Sequence, residues 1–216
     1  MADIGAGRVW TRRSNLGEVM SKLIAIMSMS LDGFVADAND GVDAVFRWYF
    51  SGDVEFHTGG GDPMRFKLSA PSAEHVRTLW SELGAVLTGR RTFDKAEGWG
   101  GNHHWGPAFV VTHSVPDGWP RPNSTVHFVT DGIESAVKQA KAAAGEKSVG
   151  VHGADTIQQL LNKGLLDELS TDVAAVFLGS GIRLFDHLAD TPRSLGNPRS
   201  IQGTGVTHLR YPVRKA

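Results

Sequence analysis

Short apolar runs alternate with stretches of helical periodicity along most of this chain, and that alternation constrains its fold more than any other feature. Residues 22–29 (KLIAIMSM), 85–88, 108–112 (AFVVT), 126–130 (VHFVT), 148–152 and 169–177 read as strands. Between them, Val76, Leu79, Trp80 and Leu83 share one helical face behind a capping Ser72. Ile133, Ala136, Val137, Ala140 and Ala144 share another. A third helix passes through Ile157, Leu160 and Leu161 and stops at Gly164. Strands separated by amphipathic helices imply an α/β fold with a mainly parallel sheet flanked by helices. Residues 200–201 and 206–211 close the chain as an antiparallel hairpin.

Two segments break the pattern. Residues 51–71, which include Thr58-Gly59-Gly60-Gly61-Asp62-Pro63, are glycine-rich and aperiodic and read as a long loop, as do residues 98–107. Residues 1–19 lack a periodic apolar face and are expected to be a peripheral extension ahead of one domain, residues 20–216.

Composition removes several functions. The 216 residues contain no cysteine, which excludes disulfides, a thiol nucleophile and cysteine-ligated zinc. The zinc centre of base deaminases falls with them. A formal charge of −1 implies no basic surface for nucleic acid. No apolar run approaches the length of a membrane span, so a cytoplasmic protein is expected. His103-His104 and Glu55 with His57 lack metal-ligand spacing on a helix, so no metal site is expected.

Candidate chemistry gathers at strand ends. Leu87-Thr88-Gly89-Arg90-Arg91-Thr92-Phe93 places a glycine where backbone can approach a ligand, then a helix start and adjacent arginines. His152-Gly153-Ala154-Asp155-Thr156 is a second strand end running into a helix start. Each is also an ordinary βα turn; together they offer the separate anchors a dinucleotide needs. His113 and Ser114 end a third strand, where parallel sheets gather ligands. Asp32, in Ser30-Leu31-Asp32-Gly33, is either a turn carboxylate or an acid at the end of the first strand. There is no full G-x-G-x-x-G fingerprint and no Gly-x-Ser-x-Gly elbow.

These segments occur in a familiar order. Ser30-Leu31-Asp32-Gly33, Thr88-Gly89-Arg90-Arg91-Thr92-Phe93, Val110-Val111-Thr112-His113-Ser114, Gly153-Ala154 and Gly164-Leu165-Leu166-Asp167-Glu168-Leu169 are followed by Leu178-Gly179-Ser180-Gly181. Over residues 20 to 213 the chain resembles the dihydrofolate reductase-like superfamily, in particular the reductase domain of the bacterial riboflavin-biosynthesis deaminase–reductase. The resemblance implies an NADPH-dependent reductase acting on a small heterocycle or a related C=N or C=O group. It implies that Arg90 faces the 2′-phosphate, with Arg91 beside it, and that Thr92 lies near the pyrophosphate. His113 and Ser114 would lie along the adenosine. His152, Gly153, Ala154, Asp155 and Thr156 would form the pyrophosphate turn. Ile26, Phe34 and Val35 would border the nicotinamide, with Asp32 the candidate acid.

The chain departs from the riboflavin reductases after the Gly-x-x-Thr turn, where Phe93-Asp94-Lys95-Ala96-Glu97 replaces an Asp-Asp-Pro segment. Stand-alone relatives also suggest a homodimer, with Val173, Ala175 and Phe177 as an alternating apolar face. Rival readings are a nucleotide-binding module without turnover and a flavin-binding domain.

Overall fold

The computed structural model describes residues 21–61 and 63–215; the proposed extension at residues 1–19 lies outside them. The first apolar run forms β1 (Leu23–Ser30), and a turn at Gly33 leads to β2 (Phe34–Ala36). A short α1 (Asp43–Phe46) runs into the 3-10 turn Arg47–Phe50. Then come β3 (Val54–His57), β4 (Arg65–Leu68), α2 (Ala70–Ser81), β5 (Leu83–Gly89) and α3 (Arg90–Lys95). After the 3-10 segment Glu97–Gly101 follow β6 (Ala108–Val111), β7 (Val126–Val129), α4 (Ile133–Ala144), β8 (Ser148–Val151) and α5 (Ala154–Asn162). The chain closes with β9 (Glu168–Ala174), β10 (Ile182–Arg183), β11 (Arg199–Gly203) and β12 (Val206–Pro212).

Eight strands form one sheet in the order β11-β12-β9-β1-β8-β5-β6-β7. Every pairing from β9 to β7 is parallel, and β12 joins β9 and β11 antiparallel. This is the mixed, mostly parallel sheet with a C-terminal hairpin that the sequence pattern predicts. Parallel strands are buried on both faces, and β1 shows why its run is continuously apolar. Leu23 and Ala25 join the core under α4 and α5, while Ile24 and Ile26 join the core that holds Leu79 of α2. Gly164 adopts φ +64° just beyond α5, and Leu165 N–H closes the helix end onto the Leu160 carbonyl at 2.9 Å.

Three local expectations need correction. Residues 51–71 are not a continuous loop: β3 and β4 pair antiparallel within them. The signal is the alternation Arg65-Phe66-Lys67-Leu68, with Phe66 and Leu68 buried; the surrounding glycines mask it. The helix expected from Ser72 starts at Ala70, and Ser69 holds the N-cap position. The Ser72 hydroxyl is committed elsewhere, to His208. The run expected as a strand through Phe177 ends at Ala174, and β9 lies inside the sheet between β12 and β1. Val173, Ala175 and Phe177 therefore form no free strand face. Among the described residues no helix is long and apolar enough to cross a membrane.

Candidate active site

Because β1, β8, β5, β6 and β7 run parallel, their C-terminal ends open on one edge of the sheet. A cavity of about 1580 Å³ lies there, with Ser28, Gly89, Val111 and His152 at successive strand ends. Thirteen predicted residues line it: Ile26, Val35, Gly89, Arg90, Arg91, Thr92, His113, Ser114, His152, Gly153, Ala154, Asp155 and Thr156. Phe34 and Asp32 do not.

Two βα turns converge at the centre. Gly153 adopts φ +90°, ψ +128°, and a Cβ there would stand 2.8 Å from Thr92 Oγ1. A Cβ on Gly89 would stand 2.9 Å from Thr156 Oγ1. The Thr88 hydroxyl ties the turns together by donating to the His152 carbonyl at 3.2 Å. The absence of side chains at these glycines leaves a backbone-lined cradle, with the first-turn N–H groups of α5 beside it. α3 has only six residues, so its contribution is side chains rather than a helix end. Arg90 Nε donates to both carboxylate oxygens of Asp94, at 2.8 and 2.9 Å, and its guanidinium also reaches the Ser114 carbonyl at 3.3 Å. Arg91 and Lys95 both pair with Asp40, and Arg91 foremost holds that carboxyl below the usual carboxylate range.

The opposite wall is aromatic. His152 stacks on Trp105 with centroids 4.4 Å apart, His103 stacks on His104 at 4.3 Å, and Trp80 packs against His104. Burial pushes His152 down to about 4, against the opposing pull of the Ile26 carbonyl 3.0 Å from its Nδ1. Burial also pushes His104 down to about 3, helped by His152. His103 moves the same way for the same reason. At neutral pH these rings are uncharged, so the wall is a set of flat, neutral faces. His152 also anchors the carbonyl of Ile26 through its ring Nδ1.

Asp32 is placed differently from the expectation for an acid. It accepts hydrogen bonds from the Ser30 hydroxyl and from the backbone N–H groups of Leu178 (3.1 Å) and Gly179 (2.7 Å). The Ser30 bond first, then those two N–H groups, pull its carboxyl down to about 2. Ionised at neutral pH, it staples the β1 turn to the loop after β9. Phe34 is buried beneath the Arg183 guanidinium, 4.4 Å from its ring.

Among the aspartates that line the cavity, Asp172 stands out because it is buried, within β9. It faces His208 across the β9–β12 ladder, and the residues are joined at 2.6 Å. Trp48, whose Nε1–H donates to Ser28 Oγ at 3.1 Å, packs edge-on against His208 and stacks with Tyr49. Burial, and then the Asp172 charge, push the Tyr49 phenol upward. One signal pointed here: a carboxylate inside a doubly covered strand must be paired. His75 also comes close, and the ligand atoms of His75, Asp172 and His208 lie within 4.8 Å of one another. Spacing along a helix could not have found this trio. Both ring nitrogens of His208 already make hydrogen bonds, to Asp172 and to Ser72, so the trio is a bonded network rather than an open ligand set.

A mostly parallel sheet closed by an antiparallel hairpin, with two glycine turns converging at its C-terminal edge, is the dihydrofolate reductase-like fold. The RibD C-terminal domain family model matches residues 21–195, and the chain belongs to that family. No protein of curated function matches it. A protein from Shewanella sp. PV-4 assigned to riboflavin biosynthesis is similar at TM-score 0.63 and 22% identity, over 90% of this chain and 99% of that one. A Thermotoga maritima diaminohydroxyphosphoribosylaminopyrimidine deaminase/5-amino-6-(5-phosphoribosylamino)uracil reductase follows at TM-score 0.60 and 13% identity; 93% of this chain covers 58% of that longer one. A dihydrofolate reductase from Enterococcus faecalis complexed with NADP(H) gives TM-score 0.53 and 12% identity over 90% and 98% of the respective chains.

Proposed function

We propose that this chain is an NADPH-dependent reductase acting on a flat, small heterocycle with a reducible C=N or C=O bond. The observation that carries the reading is the convergence of Gly89–Thr92 and Gly153–Thr156 on one backbone-lined cradle. A side chain at either glycine would fill it. The bound nicotinamide would supply hydride. The protein's share is to hold and orient. The α5 N-terminus and Thr92 would take the pyrophosphate, and Arg90 the 2′-phosphate in exchange for part of its bond to Asp94. Ile26 and Val35 would border the nicotinamide, and His113 and Ser114 the adenosine. Beyond that, Trp80, Trp105 and the neutral imidazoles offer faces on which a planar ring stacks.

The rival reading is a nucleotide-binding module without turnover. Asp172 on the cavity wall, a carboxylate placed to exchange a proton, supports turnover instead. The deciding experiment is NADPH binding followed by NADPH oxidation against pterins, pyrimidines and quinones. Tight binding with no oxidation across the panel would return the chain to the module. A homodimer is part of the same proposal, now resting on Leu31 and Phe177, 61% and 72% exposed on segments joined by the Leu31 N–H to Val176 carbonyl bond.

A further inference from the structure

The partners of Asp172 run away from the cavity in a continuous chain. An ionised carboxylate only accepts, so in the neutral ring His208 Nδ1–H donates to Asp172 Oδ1 at 2.6 Å. His208 Nε2 then accepts from the Ser72 hydroxyl at 2.9 Å, and Ser72 Oγ accepts from Ser69 at 2.9 Å. The order Ser-His-Asp suggests a hydrolytic nucleophile, but the packing forbids it. Ser72 is 1% exposed and lines neither opening, and a Cβ on Gly203 would lie 2.2 Å from its Oγ. No acyl group can reach that oxygen.

The chain instead separates two openings. Asp172 lines the large cavity. His75 and His208 line a second cleft of about 290 Å³ beside α2, β11 and β12, with Thr78, Arg199 and Arg210 on its walls. His75 Nε2 stands 3.7 Å from Asp172 Oδ1 and has no hydrogen-bond partner among the described residues. The titratable and charged groups around the pair are Tyr49 from the 3-10 turn, His75 from α2, Arg199 from β11 and Arg210 from β12.

We propose that Asp172 is the proton-exchanging group of the large cavity, and that His208 and His75 supply it with protons from the second cleft. This rests on the reductase reading. Reduction of a C=N or C=O bond puts hydride, with its electron pair, on carbon and a proton on nitrogen or oxygen. The resting pair of Asp172 carboxylate and neutral His208 first takes up one proton from water in the second cleft, the hydroxide passing to bulk solvent. Asp172 then delivers that proton to the heteroatom and the pair returns to its resting state, so charge and protons balance over a cycle. A separate entrance matters because cofactor and substrate fill the large cavity and exclude water from it. In this arrangement Asp172 is the catalytic residue, and His208, His75 and Ser72 are positioning and supply residues.

The test reads proton traffic directly. The His208 Nδ1–H resonance, identified by its loss in His208→Gln, is followed by NMR for its exchange with water in the full-length protein. Saturation with NADPH should leave the exchange rate within about twofold, because the entrance is elsewhere. Thr78→Trp, an exposed substitution that plugs the second cleft, should slow exchange at least about tenfold by displacing its water. Slowing by NADPH, or exchange unchanged in Thr78→Trp, would overturn the proposal. With any substrate that is turned over, Asp172→Asn should lower kcat by ~10²–10⁴ with NADPH affinity unchanged. Thr78→Trp should lower kcat without raising KM, and Thr78→Ala should behave as wild type. Absence of turnover on every substrate would sink the reductase reading, while the exchange measurement would still decide the proton route.

Discussion

Gly153→Ala should cost both stability and cofactor affinity, and the two losses have separable origins. Gly153 sits at φ +90°, ψ +128°, a region that L side chains rarely adopt. Forcing alanine into it costs about 1–3 kcal/mol. For a domain of this size each kcal/mol lowers Tm by roughly 2–4 °C, so a fall of about 2–12 °C is expected. The new methyl group would also stand 2.8 Å from Thr92 Oγ1, inside the cradle. Gly89→Ala is the matched control. Gly89 has an ordinary φ of −91°, and its Cβ would meet only the Thr156 hydroxyl, at 2.9 Å. Both variants should weaken NADPH binding, read by the quenching of tryptophan fluorescence. Only Gly153→Ala should show the full stability loss in urea and thermal unfolding. Equal stability losses in the two variants would refute the strain argument. Wild-type NADPH affinity in both would refute the cradle.

Arg90→Ala should remove most of the preference for NADPH over NADH, at about 1.5 kcal/mol, the low end for a charged hydrogen bond because Arg90 must first loosen from Asp94; equal affinities in wild type would dismiss the 2′-phosphate role. Asp32→Asn should leave turnover unchanged, since Asp32 lies off the cavity, while lowering stability. The folded carboxyl titrates near 2 against an ordinary 3.8, so its contribution is complete above about pH 4 and lost as pH falls toward 2. Acid unfolding of the Asn variant should lack that part of the slope, and identical acid profiles would return Asp32 to an ordinary surface role. Light scattering at micromolar concentration should give a dimer mass, and Phe177→Ser should shift it toward the monomer; a monomeric wild type would end that proposal.

The half of the cavity proposed to hold the cofactor was legible because its parts are local. Gly89-Arg90-Arg91-Thr92 and Gly153-Ala154 each put a glycine, a strand end and a helix start within a few consecutive residues, and the sheet only had to bring the turns together. The half proposed to meet the substrate is built from distant pairings. Asp172 and His208 meet through the register of an antiparallel ladder, and Ser72 reaches them from α2. None of these residues carries a local mark of the others. Asp32 misled for a related reason: a carboxylate after the first strand suits either a site or a turn, and only Leu178 and Gly179, far along the chain, show which bonds it makes.

The family match ends at residue 195, ahead of β11 and β12, so the segment that marks kinship contains Asp172 but not the histidine that holds it. Without β12, β9 would become an edge strand bearing a buried, unpaired carboxylate, which is costly. During synthesis, the Gly89–Thr92 and Gly153–Thr156 turns therefore leave the ribosome well before the strand that pairs Asp172.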